Sequence, residues 1–309
     1  MNIAFFGTPE FAVPSLHEIN KSTHNIVATI TGIEKPSGRG QKLNRTPIYQ
    51  ESKKLEIPII EVDNFLNPNF IERVESLEID IFIIVAFRIL PEKIFSIPKY
   101  GAVNLHASLL PKYRGSAPIN HAILNGETKT GITTFQINNK VDAGSIYLQE
   151  EYIITNKATT GMVSADLSIA GASLLVKTLN QIENNSIFPI KQDLQQSSPA
   201  PKLKSEMFCI NWNKSSYEIH NQIRAFSPKP GAFTKFDGLR IKLFDSEIGD
   251  SVRLNPGIGE IIEDKILIGT GDGDLVVKSV QLAGKKKMPV ADFHKGIISK
   301  IDGKVISFG

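Results

Sequence analysis

The sequence predicts an α/β protein: a Rossmann-like, doubly wound, mostly parallel sheet followed by a small OB-like β-barrel. Three observations carry that expectation. The chain opens with an apolar strand, an apolar-periodic helix and a second apolar strand, which is a βαβ unit. Asp80-Ile81-Phe82-Ile83-Ile84-Val85-Ala86 is an unbroken apolar run of the kind a strand shows when both faces are covered. The last third carries five short β-rich segments separated by Gly and Asp turns, the rhythm of a small barrel.

At 309 residues the chain has room for a full α/β domain and a smaller second one. With 41% hydrophobic and 22% charged residues, it has the composition of an ordinary globular protein. The single Cys209 excludes an internal disulfide and a cysteine-based metal cluster. We expect no 18-residue apolar span, and the opening lacks a basic stretch, so neither a signal nor a membrane segment is anticipated. The expected location is the cytoplasm. Residues 1–206 hold 20 basic and 20 acidic side chains, whereas 207–309 hold 15 and 12. The whole excess of +3 therefore lies in the last third. That placement is compatible with a polyanionic partner and equally with a solvated face.

Taken in order, Asn2–Gly7 reads as a buried strand. Thr8 is the expected cap of the following helix, with Pro9 at its first position. The turn between them holds one glycine and not the G-x-G-x-x-G fingerprint, so a nicotinamide or flavin cofactor is not expected. A strand over 26–30 follows. Residues 31–47 then bring three glycines, two prolines and four basic side chains, a cationic connection longer than a βα loop needs. It is either an ordinary surface loop or a basic finger for phosphates.

Next come a helix over 48–55, a short strand over 57–60, a helix over 70–77 and the apolar strand over 80–86. Ala102–His106 should lie beside that strand, followed by the helix Pro118–Leu124 and strands over 131–137 and 145–154. The loop tip 138–144 between the last two carries Asp142. Thr160–Glu183 is a long amphipathic helix capped by Thr159 or Thr160. Residues 189–206 are rich in Pro, Gln, Ser and Lys and read as a linker, giving domains at 1–188 and 207–309. The second domain should hold a helix over 217–225 and strands over 232–236, 239–244, 257–262, 265–269 and 275–282.

The chemistry concentrates on and after the strand Ala102–His106. Asn104 and His106 are two apart on it, so both side chains leave one face. An amide there can hold a developing oxyanion while an imidazole handles a proton on the attacking group. Position alone allows equally a strand-end Asn satisfying a turn and a core His bonded to backbone.

The surrounding motifs carry a resemblance. Asn104-x-His106, Ser108-Leu109-Leu110-Pro111, Arg114-Gly115 and Asp142-x-Gly144 resemble the signature of folate-dependent formyltransferases. Further motifs are similar to the branch that acts on methionyl-tRNA. These are the opening Gly7-Thr8-Pro9-Glu10-Phe11-Ala12-Val13-Pro14, Pro36-x-Gly38-Arg39-Gly40, Arg224-Ala225-Phe226 and Gly284-Lys285-Lys286-x-Met288. The resemblance implies transfer of the formyl group of 10-formyltetrahydrofolate to the α-amino group of methionine esterified to initiator tRNA. It implies catalytic Asn104, His106 and Asp142, with Asp142 hydrogen-bonding and orienting the imidazole. It places folate against Phe87, Arg88, Ile89 and Leu90 and against Ser108, Leu109, Leu110 and Pro111. It places tRNA against Lys35, Arg39, Lys42 and Arg45 of the basic stretch and Lys285, Lys286 and Lys287 of the second domain. No metal and no tightly bound cofactor are implied, and the expected state is a monomer away from membranes. The 85–91 segment departs from the family's usual Ala-Tyr-Gly and is one residue shorter. Lys140, Ser145, Ser227 and Lys229 also depart from the pattern.

Two other functions fit part of this reading. A formyltransferase acting on an amino-sugar nucleotide or a ribosyl-glycinamide would need neither the basic stretch nor the triple lysine. A non-catalytic folate- or RNA-binding module would have no use for all three of Asn104, His106 and Asp142.

Overall fold

A computed structural model of the chain describes residues 1–37, 42–297 and 305–309. The elements run β1 (Asn2–Gly7), α1 (Val13–Asn20), β2 (Asn25–Gly32), β3 (Lys35–Ser37), β4 (Lys42–Asn44), α2 (Pro47–Lys54), β5 (Ile59–Val62) and α3 (Pro68–Glu75). They continue with β6 (Ile81–Val85), α4 (Glu92–Phe95), β7 (Ala102–His106), β8 (Arg114–Gly115), α5 (Pro118–Leu124), β9 (Lys129–Gln136), β10 (Ile146–Ile153) and α6 (Thr160–Glu183). After them come β11 (Pro199–Ala200), α7 (Ser216–Ala225), β12 (Ala232–Phe236), β13 (Leu239–Ile248), β14 (Ile258–Ile262), β15 (Lys265–Gly269), β16 (Asp274–Leu282), β17 (Met288–Pro289), α8 (Val290–Ile297) and β18 (Val305–Ser307).

Contacts gather these elements into two units. The first comprises Met1–Ser116, Thr130–Tyr152 and Ser164–Ala200. The second comprises Ala117–Lys129, Ile153–Val163 and Pro201–Gly309.

In the first unit the sheet order is β10-β9-β7-β6-β1-β2-β5. The five strands from β7 to β5 run parallel, and β9 is antiparallel to β7. All five residues of β6 are buried, as a strand covered on both faces requires. The order reverses between β1 and β6. In open α/β sheets that switch point, outside the carboxyl ends of the strands, is where ligands bind. The loops after β6 and β7 both open at that end.

The structure departs from the expected elements in several places. Thr8 caps no helix: a short 3-10 turn, Glu10–Ala12, comes first, and α1 starts at Val13 with Pro14 inside its first turn. A proline is tolerated there because the first turn of a helix has no N–H partner to lose. The 31–47 connection carries a paired hairpin, β3 with β4, in which Lys35 faces Asn44 and Ser37 faces Lys42. Thr46 then caps α2 through the Tyr49 N–H at 3.0 Å. Helix α6 also corrects an expectation, since an 18-residue window within it reaches a mean hydropathy of 1.4, enough by length and composition to cross a membrane. Half of that window is buried in the protein. Its Thr178 hydroxyl meets Thr134 of β9 at 2.8 Å, the contact of a core helix. Residues 189–206 are structured as well: β11 pairs in parallel with β8.

The second unit is a sheet of order β12-β13-β16-β15-β14-β18, antiparallel throughout, with β17 on β16. A bridge between Phe236, at the end of β12, and Phe308, beside β18, brings its two edges together. The result is a partly open barrel, as expected. Ile219 and Ile223 of α7 and Phe293 of α8 fill it together with Trp212, Leu243, Ile266 and Val277. The Trp212 indole N–H, buried there, donates to the Thr234 hydroxyl at 3.2 Å. Ser215 and Glu218 form a reciprocal capping box at the start of α7.

Candidate active site

His106 ends β7 and is buried, with 6% of its surface exposed. Its Nε2 lies 2.9 Å from the Tyr113 carbonyl oxygen. A carbonyl only accepts, so that nitrogen carries a hydrogen and donates it. The other nitrogen, Nδ1, lies 3.7 Å from Asp142 Oδ2. That distance is an ion-pair contact and too long for a hydrogen bond. The expected hydrogen bond from imidazole to carboxylate is therefore absent in this state. Asp142 Oδ2 instead accepts the Gly115 N–H at 2.8 Å.

The backbone conformations that create this arrangement are uncommon ones. Tyr113 has φ +60° and Asp142 φ +50°, both in the left-handed region that costs a side-chain-bearing residue. Gly115 has φ +127°, and a Cβ there would lie 2.4 Å from the Ala200 carbonyl oxygen. At Gly144 a Cβ would lie 1.6 Å from the Gln136 carbonyl oxygen, so the 142–144 loop tip approaches β9 more closely than any other residue allows.

Asn104 sits opposite Ile84 and Phe135 in the sheet and is half-buried. Among the described residues none hydrogen-bonds its carboxamide. His106 and Asp142, from β7 and from the loop after β9, thus come within 3.7 Å of each other, and Asn104 lies two residues before His106 on β7.

The Ser108–Pro111 turn is held from beneath. The Ser108 hydroxyl donates to the Lys112 carbonyl at 2.7 Å. The Thr133 hydroxyl donates to the Ser108 carbonyl at 2.6 Å and accepts the Leu110 N–H at 3.2 Å. Gln149 Nε2 donates to both Leu110 O and Thr133 Oγ1 at 2.9 Å. Ser108 and Leu110 are buried, and Leu109 and Pro111 are half-buried.

Of the four side chains expected after β6, Phe87 and Leu90 turn inward, and Arg88 and Ile89 are exposed. Phe87 packs against Phe6 and Phe65 at 5.6 and 6.0 Å between ring centroids. Arg88 donates to the Val62 and Asp63 carbonyls at 2.6 and 2.7 Å and lies 4.6 Å over the Phe65 ring, tying this loop to the end of β5. Leu90 joins the core, whereas Ile89 is 75% exposed.

Among the expected tRNA contacts, Arg39 lies outside the described residues. Lys35 and Lys42 stand on the two hairpin strands. Arg45 pairs with Glu34 at 3.1 Å and with Glu61, and covers the Tyr49 ring at 4.5 Å. The Glu61 hydrogen bond raises the Arg45 pKa, a sign of a charge already matched within the protein. Lys285, Lys286 and Lys287 are exposed after β16. Lys287 Nζ lies 4.7 Å over the Phe244 ring, at the rim of a cavity of about 320 Å³ in the second unit. His220 and Arg224 also line it. His220 accepts or donates at Ser246 Oγ (2.9 Å) and donates to the Asn156 carbonyl (2.8 Å). Burial lowers its pKa, and the nearby Arg224 adds to that effect. Arg224, buried, donates to the Thr155 and Ala158 carbonyls at 3.3 Å. Among the described residues no group of three or more His, Cys, Asp or Glu side chains is placed to hold a metal ion.

Sequence reasoning missed Thr133, Gln149, Gln192 and the Tyr113 carbonyl. A backbone acceptor leaves no mark in a sequence, and Thr and Gln inside strands and linkers are too common to stand out.

Residues 1–179 match the formyl transferase family, and residues 202–297 match the formyl transferase C-terminal domain. The chain belongs to the formyl transferase family. It is 42% identical over 300 residues to the methionyl-tRNA formyltransferase of Alkaliphilus oremlandii, covering 96% of each chain. It is 38% identical over 310 residues to that of Fusobacterium nucleatum, covering 99% of this chain and 100% of the other. Among solved structures, this formyltransferase resembles WlaRD, a sugar 3N-formyl transferase crystallised in the presence of dTDP and 5-N-formyl-THF. The TM-score is 0.70 at 25% identity, over 93% of this chain and 99% of the other. It resembles the methionyl-tRNA formyltransferase of Clostridium thermocellum with a TM-score of 0.56 at 18% identity, over 81% and 94%. At 18% identity that second likeness speaks to the fold alone.

Proposed function

We infer that this formyltransferase moves the formyl group of 10-formyltetrahydrofolate to the α-amino nitrogen of methionine esterified to initiator tRNA. The product is N-formylmethionyl-tRNA for translation initiation. The observation that carries the reading is full-length identity of about 40% to relatives that bear this name, across both family domains. Conservation of the fold alone would not choose the acceptor.

In the step itself, the neutral amine nitrogen attacks the formyl carbon and the carbonyl electrons move onto oxygen. Asn104 donates its free carboxamide N–H to that oxyanion, an interaction typically worth about 3 kcal/mol in the transition state. One His106 nitrogen is committed to the Tyr113 carbonyl, so the nitrogen beside Asp142 takes the amine proton. The carboxylate stabilises the imidazolium so formed. Collapse of the adduct breaks the bond from carbon to the folate nitrogen, which leaves with the proton that the His106 imidazolium gives back.

Folate lies against the backbone of the loop after β6, Ile89 and the Ser108–Pro111 turn. Lys35, Arg39 and Lys42, and Lys285, Lys286 and Lys287, meet the tRNA phosphates, while Arg45 pairs with Glu34 and Glu61. Such contacts position the nucleic acid and leave base reading to other groups. We read the enzyme as a cytoplasmic monomer.

The better TM-score with a sugar 3N-formyl transferase favours a second reading, an amino-sugar nucleotide as acceptor. One experiment separates them. The chain is given 10-formyltetrahydrofolate with either charged initiator tRNA or a dTDP-amino sugar, and formyl transfer is followed at increasing salt. Transfer to tRNA that weakens steeply with salt supports the first reading. Transfer to the sugar nucleotide alone overturns it, and full activity after Asn104→Ala or His106→Ala overturns the mechanism.

A further inference from the structure

We propose that Gln192, with Arg114 behind it, is a positioning residue for the reaction: it sets the loop that carries Asp142 and hence the charge beside His106. The inference rests on the roles given to His106 and Asp142 above. Both residues lie in the first unit; Arg114 belongs to a motif that carried the resemblance to the family, and Gln192 does not.

The geometry is that of a filled bracket. Gln192 Nε2 donates to the Asp142 carbonyl at 2.9 Å and to the Gly144 carbonyl at 2.7 Å. Its Oε1 accepts from Arg114 Nε at 3.1 Å and from Arg114 Nη2 at 2.6 Å. A carboxamide has two donor hydrogens and two acceptor lone pairs, and here all four are used. The guanidinium fork fixes which end of the amide is oxygen, since it can only donate. The amide hydrogens are thereby turned onto the 142–144 loop.

That loop needs an external hold. Asp142 sits at φ +50°, a conformation its own chain does not favour. Its carboxylate is anchored by the N–H of Gly115, the residue next to Arg114. One dipeptide therefore grips Asp142 twice, directly through a backbone N–H and indirectly through Gln192.

The segment after Gln192 completes the hold from the other side. The Arg114 N–H donates to the Ser198 carbonyl and the Tyr113 N–H donates to the Ser198 hydroxyl, both at 2.9 Å. Pro199 and Ala200 pair with Arg114 and Gly115. The Tyr113 carbonyl and the Asp142 carboxylate lie beside the two nitrogens of the His106 ring. Residues 192–200, which read as a linker, hold the backbone of both. A stretch with few apolar side chains acts here through its hydrogen bonds.

The test uses the full-length protein and two variants. Gln192→Glu keeps an oxygen for Arg114 but turns a second oxygen toward the Asp142 and Gly144 carbonyls. Gln192→Met keeps the length and removes all four hydrogen bonds. Three readouts are taken: thermal melting, kcat and KM for each substrate, and the ¹⁵N resonances of the His106 ring in protein labelled at histidine. We expect kcat to fall at least tenfold in both variants with KM changed less than threefold, and the His106 ¹⁵N resonances to move. A variant that stays folded and keeps kcat within twofold of the parent, with unmoved resonances, overturns the proposal. If one variant fails to fold, the other decides. If the parent enzyme itself formylates no methionyl-tRNA, the functional reading falls, while the resonances still report whether Gln192 sets the surroundings of His106.

Discussion

Replacing Asp142 by Asn tests the charge beside His106 with little change of shape. The amide oxygen of Asn can still accept the Gly115 N–H that Asp142 Oδ2 takes at 2.8 Å, so the loop keeps its anchor. What is lost is the attraction between a carboxylate and the imidazolium formed when His106 takes the amine proton. At the 3.7 Å separation and an effective dielectric near 20, that attraction is about 4 kcal/mol. The side chains are 7% and 15% exposed, so water screens it modestly, and we take about 3 kcal/mol as the loss in the transition state. At 1.36 kcal/mol per decade this is roughly a hundredfold fall in kcat. Single-turnover formylation of methionyl-tRNA measures it, with KM for both substrates changed little because neither ground state carries the imidazolium. A kcat within fivefold of the parent would refute the reasoning, since the charge would then not be felt where the proton goes.

Gly115→Ala should destabilise the first unit by at least about 1–3 kcal/mol from its φ of +127° alone, and by more because the new Cβ would meet the Ala200 carbonyl at 2.4 Å. Urea unfolding measures this, with a drop in kcat alongside. The lowered pKa of His220 has a pH consequence whose sign follows from linkage. The unfolded chain takes up a proton at this site near pH 6.5 and the folded chain only at lower pH. Stability is therefore full above about pH 6.5 and is lost as pH falls towards the folded value. His220→Gln should flatten that loss in unfolding midpoints compared between pH 7.5 and 5.5. Changing Lys285, Lys286 and Lys287 together to Ala should raise KM for tRNA and leave KM for folate unmoved. It should also shallow the slope of log KM against log salt by roughly 0.7–0.9 for each phosphate contact removed.

Much of the architecture was legible because it follows from local patterning. An unbroken apolar run at 81–85 has nowhere to go but the middle of a covered sheet. The Ala102–His106 and Thr160–Glu183 boundaries follow from the periodicity of their own residues. In the second unit the strands showed by alternation and Gly turns. Helix α8 and strand β18 were missed, because short segments near a chain end carry too few residues for a period to show. The cap expected at Thr8 failed because Pro9 and Pro14 set the start of the helix further along.

The sequence by itself determined the residue types at the site: an amide and an imidazole two apart on one strand, and a carboxylate on a distant loop. It could do so because side-chain direction along a strand has a fixed period of two. Only the tertiary structure decided which group each imidazole nitrogen meets. It also decided that Arg88 bonds the backbone at the end of β5 and Arg45 pairs with Glu34 and Glu61, and that a linker-like stretch grips the backbone around Asp142. Those outcomes depend on hydrogen bonds between residues tens of positions apart and on backbone carbonyls common to every residue. No pattern of side chains along the chain encodes either.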